Sequence, residues 1–428
     1  MIKHTAGGNT TNKSWKIVLA LLIALTASVS TLGAGSDFTL GIFGNANMDD
    51  TIDEKDVAYV EGVIKGTNAA TNLSDANYDG KVDSQDVDQI EQIINGTEKT
   101  LIIKDDDGTT VIIPKPIKRA VASGRVYDVC EVMRSLNVAN LLVGVSKEIQ
   151  DRNIYFPELS KLHGVGTAWE PDYEAIIQLD PDIVMISGRT IPSSSRYAGY
   201  KEKLEGATPV VYLALQLEEN LTERITKMGY IFNCRDDAET FIEWHDSIID
   251  EIESKTENLA ENEKPRVFPT FYSDGSWNVY PGSYGSIPEM CAIAGGKNIG
   301  DVWSSSEHSE VDLEWIATQN PDIIVAFPTY LCGYENSSPD FNSLKNNILG
   351  TPILQNVSAV KKNKVYVICA NCFEYAPSRI VMIAQMAKWY HPDLFVDLDP
   401  IAIHQEYLTK FQKIEFDVAK NEQLFALS

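Results

Sequence analysis

The chain is short of positive charge. Its 428 residues carry 36 Lys and Arg against 61 Asp and Glu, a formal net charge of −25. Phosphate backbones are bound by basic patches, so this balance argues against nucleic acid as a partner and against docking on anionic lipid. Catalytic signatures are missing too: there is no HExxH, no GxSxG and no P-loop. His163, His245, His308, His391 and His404 show no metal-ligand spacing. Acidic pairs are abundant, so composition does not by itself exclude a two-carboxylate glycosidase. Long apolar runs are scarce. The only one, Ile17 to Val29, follows Lys3, Lys13 and Lys16 and precedes Ser30, Gly33, Ala34 and Gly35. That is the order of a secretory signal, and the run is short of the ~20 apolar residues of a membrane span. Residues 1–35 are expected to be a signal peptide or an uncleaved anchor, with the bulk of the chain exported to a cell-surface or periplasm-like space. Cysteine is sparse. The first is Cys130, so a lipid anchor on a cysteine near the N-terminus is excluded. An even set of six (Cys130, Cys234, Cys291, Cys332, Cys369, Cys372) permits disulfides without assigning them. Cys369-Ala-Asn-Cys372 is a single CxxC, read as ordinary or disulfide-bonded cysteines at a strand end.

What the chain does contain is a repeat. Asp172-Tyr-Glu-Ala-Ile-Ile-Gln-Leu-Asp-Pro-Asp-Ile-Val-Met185 returns without a gap as Asp312-Leu-Glu-Trp-Ile-Ala-Thr-Gln-Asn-Pro-Asp-Ile-Ile-Val325. Each copy reads as an amphipathic helix, a Pro-Asp turn and a short buried strand. A unit repeated at this separation predicts two similar α/β lobes with a cleft between them, and a cleft is where a ligand is held.

A shorter duplication lies in the acidic segment 36–98. Asp75, Asn77, Asp79, Asp83 and Asp86 place oxygen ligands at positions 1, 3, 5, 9 and 12 of a loop, with Gly80 at position 6 and the Lys81 carbonyl at position 7. Ca²⁺ is a hard cation that takes ~6–8 oxygens, and this spacing wraps them around one point. Thirty residues earlier Asn45, Asn47, Asp49, Thr51, Asp53 and Asp56 repeat the pattern. There Asn45 replaces a charged ligand, and Asp50 stands at the glycine position, where it would need a positive φ. Each loop precedes a helix with matched apolar positions: Val57, Val60, Val63 and Ile64 against Val87, Ile90, Ile93 and Ile94. Two such loop–helix units with Asp at position 12 resemble a dockerin module. The resemblance implies two Ca²⁺ sites, the second the better formed, and a cohesin-bearing partner; the other reading is a calcium-stabilised spacer.

From residue 99 onward strands and helices alternate, which predicts parallel α/β sheets. Thr100 to Pro114 reads as a hairpin turning at Asp107-Gly108. An N-terminal lobe is expected over 99–219, a connecting helical segment over 220–263, and a C-terminal lobe over 264–428. The fold class is therefore α/β: two Rossmann-like lobes joined by a long helix, preceded by a small all-α duplicated EF-hand-like module. The twice-repeated phrase, Ile117-Lys-Arg-Ala-Val121, Tyr155-Phe-Pro-Glu-Leu159, Ala294-Gly-Gly-Lys-Asn298 and His391-Pro-Asp-Leu-Phe395 resemble the substrate-binding proteins of ABC importers, in the branch that handles ferric siderophores, haem, cobalamin and, in some members, molybdate. The resemblance implies a small-molecule cargo, no bond chemistry, and a membrane permease met by one surface glutamate on each lobe, here Glu174 and Glu314. Molybdate or tungstate is the alternative cargo. A dockerin-bearing polysaccharide hydrolase or adhesion protein is the alternative function.

Ligands of open α/β sheets bind outside the carboxyl ends of the strands. Residues just past each expected strand are therefore the cleft candidates. In the first lobe these are Arg125, Tyr127, Trp169, Ser187, Arg189 and Tyr212. In the second they are Tyr272, Trp277, Tyr284, Trp303, Tyr330, Phe373, Tyr375 and Arg379. Aromatic rings suit a flat, partly apolar ligand, and arginines suit carboxylates or oxyanions. Ser187, Ser283 and Ser286 would serve an oxyanion instead.

Overall fold

In the computed structural model, the described residues are 38–427 apart from 125, 189–194, 274, 306, 329–331, 336–339 and 374–376. The expected signal segment, Arg125, Arg189, Tyr330 and Tyr375 therefore lie outside the described residues.

The N-terminal module has two loops, each leading into a helix: α1 (Glu54–Ile64) and α2 (Ser84–Asn95). Asp53 and Asp83 cap them, and each donates its own amide to the carboxylate of the aspartate three residues on. A hairpin follows, β1 (Thr100–Lys104) and β2 (Thr110–Pro114), paired from Thr100↔Pro114 to Lys104↔Thr110. The module does not stand apart. Residues 38–428 form one compact unit, and Leu40, Ile42, Ile52, Val60, Ile90 and Ile93 belong to the same buried cluster as the hairpin and the lobes.

The N-terminal lobe runs β3 (Ala120–Ala122), α3 (Tyr127–Ser135), β4 (Leu142–Val145), α4 (Lys147–Gln150), β5 (His163–Gly164), α5 (Tyr173–Gln178), β6 (Ile183–Ser187), α6 (Ser195–Leu204) and β7 (Val210–Leu213). Its five strands are all parallel, in the order β5-β4-β3-β6-β7.

The expected single connecting helix is two. α7 (Leu221–Phe232) ends where Asn233 turns left-handed (φ 54°), and α8 (Arg235–Thr256) continues from there. α7 packs on the hairpin and module rather than spanning the lobes. Buried Lys115 donates to the Tyr230 and Ile231 carbonyls and to Asn233 Oδ1, at 2.6–2.7 Å, and pairs with Glu98 at 3.3 Å. Tyr230 Oη accepts the Ile52 amide at 3.0 Å. Arg235 Nη2 caps α2 by donating to the Ile94 carbonyl at 2.6 Å.

The C-terminal lobe comprises β8 (Arg266–Ser273), β9 (Ser276–Val279), α9 (Ser286–Ile293), β10 (Lys297–Asn298), β11 (Ser309–Val311), α10 (Leu313–Gln319), β12 (Ile323–Pro328), α11 (Phe341–Gly350), α12 (Ser358–Lys361), β13 (Val365–Ile368), α13 (Ala370–Phe373), α14 (Arg379–Tyr390), α15 (Pro400–Glu406) and β14 (Ala426–Leu427). Its sheet is mixed: β8, β12 and β13 are parallel at the centre, with antiparallel β9, β11 and β14 outside them.

The repeated phrase forms the same local structure twice. Asp172 and Asp312 cap α5 and α10 by accepting from the Ala175 and Trp315 amides. Asp182 accepts the Lys118 and Arg119 amides at 2.7 and 2.8 Å, and Asp322 accepts the Arg266 amide at 3.1 Å. Arg119 and Arg266 in turn donate to the last carbonyls of the two helices, at Leu179 and Gln319. The aspartate after the proline in each copy thus ties its strand to the strand beside it.

Candidate functional site

The first-lobe strand ends carry a buried polar floor. Asp128, at the start of α3, accepts from Ser187 Oγ at 2.5 Å and is fully buried. Burial pushes its carboxyl up to about 6, against the Ser187 hydrogen bond. One turn on, buried Glu131 accepts from Tyr407 Oη at 2.7 Å, and burial pushes it up to about 7. Tyr407 follows α15 in the second lobe, so this bond joins the lobes.

The second junction is ionic. Arg379, the first residue of α14, is 0% exposed. Its Nη1 lies 3.0 Å from Glu289 on α9 and 3.7 Å from Glu218, and its Nη2 donates to the Gln216 carbonyl. Glu289 also accepts the Glu218 and Glu219 amides. His245 on α8 stands 3.0 Å from both Glu218 and Asp246. Burial opposes charge on His245, but the two carboxylates outweigh it and hold the imidazole up at about 9.

Beyond these junctions the second lobe presents aromatic surface. Exposed His308 lies 5.4 Å from the Phe271 ring, 6.4 Å from Tyr280 and 6.5 Å from Tyr284. Tyr284 meets Tyr280 edge-on at 4.8 Å. Trp303 meets Trp315 edge-on at 6.0 Å. In the first lobe the Arg152 guanidinium covers the Tyr127 ring at 4.0 Å. Half-buried rings with an exposed imidazole among them can stack on a flat ligand and meet a polar group on it.

The cleft candidates therefore divide. Tyr127, Tyr272, Tyr284 and Trp303 are half-buried, and Trp169 is 68% exposed. Tyr212, Trp277, Phe373 and Arg379 are corrected to core positions. Tyr212 packs in the first lobe. Trp277 lies against Phe268 and Tyr272, and Phe373 against His404 and Phe425. Arg379 spends its charge on Glu289 and Glu218. Tyr212 and Trp277 lie within β7 and β9, and Phe373 and Arg379 in α13 and α14, rather than just past a strand, and all four side chains are buried. Ser187 is 8% exposed and committed to Asp128. Ser283 donates to the Ser305 carbonyl and Ser286 is fully buried, so the three serines do not form one oxyanion pocket. His308 was discounted from sequence because its ring neighbours come from distant parts of the chain and leave no spacing signal.

Glu174 and Glu314 are exposed, each the second residue of its helix, at equivalent positions of the two copies of the repeated phrase.

The two N-terminal loops have the same internal bonding. Asp56 accepts the Asn47 and Asp53 amides, as Asp86 accepts those of Asn77 and Asp83. Asn47 and Asn77 accept the Asp49 and Asp79 amides, which precede bonds from the Thr51 and Lys81 amides to Asp49 and Asp79. Met48 and Tyr78 have positive φ at the same position of the two loops; Gly80 adds a second at φ +90°, whereas Asp50, its counterpart, is not left-handed. Among the described residues no three His, Cys, Asp or Glu side chains converge as a metal cluster. The donor set is nevertheless all hard oxygen. Asn45 uses its Nδ2 on the Leu40 and Asp49 carbonyls, leaving Oδ1 buried without a partner.

Comparison with known proteins places this arrangement. The family model described as periplasmic binding protein matches residues 126–371. The petrobactin-binding protein YclQ of Bacillus subtilis is 24% identical over 289 residues, 66% of this chain and 84% of that protein. A cobalamin-binding protein of Halobacterium salinarum is 24% identical over 269 residues, 61% of this chain and 66% of that one. Among solved structures, the TroA-like periplasmic binding protein FepB of Veillonella parvula superposes with a TM-score of 0.64 at 20% identity, over 74% of this chain and 97% of its own. The molybdate periplasmic binding protein MolA of Haemophilus influenzae gives a TM-score of 0.58 at 19% identity, over 74% and 98%. The family works outside the cytoplasm with an ABC permease, and among the described residues no helix is long and apolar enough to cross a membrane. The chain belongs to the periplasmic binding protein family, and is a substrate-binding protein of ABC-importer type that holds a solute without transforming it.

Proposed function

We propose that this protein captures an iron chelate, haem or a corrinoid between its two lobes and delivers it to a permease through Glu174 and Glu314. The observation that carries the cargo class is the pair of half-buried rings Phe271 and Tyr284 beside exposed His308, backed by buried Tyr280, which suits a flat organic ligand. The names of the petrobactin- and cobalamin-binding relatives agree with it. A bare oxyanion such as molybdate is disfavoured because Ser187 and Ser283 are already committed. The N-terminal module would bind Ca²⁺ in its two loops, Asp75, Asn77, Asp79, the Lys81 carbonyl, Asp83 and Asp86 holding one ion and Asn45, Asn47, Asp49, the Thr51 carbonyl, Asp53 and Asp56 the other. Supplied there, the ion neutralises clustered carboxylates and locks the loops. The same dockerin-like module would offer its exposed helix faces to a cohesin.

The test is a tryptophan-fluorescence titration of the full chain with ferric siderophores, haem, cobalamin, molybdate and tungstate. Saturable quenching by one of the first three, carried by Trp303 or Trp169, is the expected result. Binding confined to molybdate or tungstate would replace the cargo class. Glu174→Ala with Glu314→Ala is expected to leave that affinity within about twofold while abolishing uptake, since exposed carboxylates contribute little to a distant site. Normal uptake by the double variant would remove the two glutamates from docking.

A further inference from the structure

Three sulfurs meet at the cleft side of the C-terminal lobe. Cys332 follows β12, Cys369 follows β13 and Cys372 lies in α13, so the carboxyl ends of two neighbouring parallel strands bring them together. Cys332 and Cys369 are disulfide-bonded, and Cys372 is a thiol. Its Sγ stands 3.4 Å from Cys369 Sγ and 3.9 Å from the Cys332 carbonyl oxygen. Gly333 admits it: the backbone there has φ +80°, and a Cβ would collide with Cys372 Sγ. All three residues are at least nine-tenths buried, so solution thiols are kept out while the internal one is held against the bond.

The residues after Cys332 clasp the other lobe. Tyr334 stacks on Tyr155 at 4.3 Å and 13°. Glu335 Oε1 accepts the Ile154 and Tyr155 amides, both at 2.9 Å. Tyr334 Oη is 2.6 Å from His404 Nε2. The Cys332–Cys369 bond therefore tethers to β13 a segment that adds a further contact between the lobes.

The geometry points to an internal thiol–disulfide exchange site, in which Cys372 displaces Cys332 from Cys369 and releases the clasp segment. The Cys372 thiolate attacks Cys369 Sγ; the Cys369–Cys372 bond forms as the Cys332–Cys369 bond breaks. The leaving electron pair stays on Cys332 Sγ, which takes the proton that Cys372 gave up. No oxidant or reductant is consumed, because one disulfide replaces another. The product closes the CxxC and leaves Cys332 as the thiol.

Exchange needs the thiolate, and burial pushes the Cys372 thiol up to about 12. Arg152 from the first lobe opposes that rise. Glu131 on α3 and Glu335 on the clasp segment add to it, and the Tyr155 and Tyr334 hydroxyls also face the thiol. The exchange is therefore slow near neutrality and accelerates as pH rises.

The experiment uses the full chain purified without reductant. It is incubated with iodoacetamide at about pH 7, 8 and 9, quenched in acid, digested, and its cysteine linkages mapped by mass spectrometry. The expected product carries the label on Cys332 with Cys369 and Cys372 joined, and accumulates about tenfold faster per pH unit. Cys372→Ser is expected to abolish labelling of Cys332. In the trapped product, hydrogen exchange at the Ile154 and Tyr155 amides is expected to be at least about tenfold faster. Label on Cys372 with Cys332–Cys369 intact at every pH would overturn the exchange site. So would a rate that rises with protein concentration, since the reaction would then run between molecules. Unchanged protection at Ile154 and Tyr155 in the trapped product would overturn its link to the clasp.

Discussion

Arg379 carries a full positive charge with none of its surface in water. A buried cation is tolerated only when paired, and its three partners come from two places: Glu289 on α9, and Glu218 and the Gln216 carbonyl from the segment after β7. Arg379→Ala leaves Glu289 without its cation and Glu218 with His245 alone. We expect it to cost about 3–5 kcal/mol of unfolding free energy, measured by urea titration. A loss below about 1 kcal/mol would show that the guanidinium is not the centre of this junction. At the same scale, Asp128, Glu131 and His245 have ordinary values of 3.8, 4.5 and 6.5 and are raised in the folded chain to about 6, 7 and 9. A group raised on folding binds its proton more tightly in the native state. Its contribution is complete below the unfolded value and is lost as pH rises through the folded one. Stability should therefore fall with rising pH across three overlapping windows, 3.8 to about 6, 4.5 to about 7, and 6.5 to about 9. Glu131→Gln should flatten the middle window in a series of urea midpoints against pH. An unchanged slope there would mean that Glu131 does not titrate between those limits.

Among the elements, the two copies of the repeated phrase show how one pattern serves both lobes. The aspartate after the proline ties each helix–strand unit to the neighbouring strand, through two amides at Asp182 and through the Arg266 amide and Ser358 Oγ at Asp322. Asp182→Ala leaves the Lys118 and Arg119 amides without that acceptor and should cost about 1–3 kcal/mol, with Asp182→Asn intermediate. Calorimetry of the three proteins would check it, and equal midpoints would mean that water replaces the carboxylate. The helix, turn and strand of each copy were legible in the sequence because their signals are local: a capping aspartate, apolar positions at helical spacing, and Pro-Asp. The break between α7 and α8 was not. Asn233 carries no proline or glycine signal, and its left-handed turn is held by Lys115, which lies 118 residues away.

In the whole molecule the N-terminal module and the importer body share one core. Ion occupancy in the loops should therefore be felt throughout. Chelation of calcium with EGTA is expected to lower a single cooperative melting transition of the full chain, by up to about 2.7 kcal/mol of linkage if the ion stood at a hundred times its Kd. Two separated transitions, only one of them calcium-sensitive, would show that the shared core does not couple them. An unmoved transition would remove calcium from the loops. Tyr230 is the residue to follow, because its hydroxyl meets Ile52 at the end of the first loop.

Read alone, the sequence determined the class of the molecule: an acidic chain without catalytic motifs, two α/β lobes announced by a repeated phrase, and an acidic loop–helix pair ahead of them. Those properties rest on composition and on contacts between near neighbours in the chain. The glutamates of the two phrase copies were placed the same way, since a helix start fixes its first exposed positions. Tertiary structure alone decided which candidate side chains face outward. Tyr212, Trp277, Phe373 and Arg379 turn into the core, whereas Tyr127, Tyr284 and Trp303 stay half-buried. It also decided that Cys369 pairs with Cys332 rather than with Cys372. Both outcomes depend on partners from remote segments, and only packing brings those within reach.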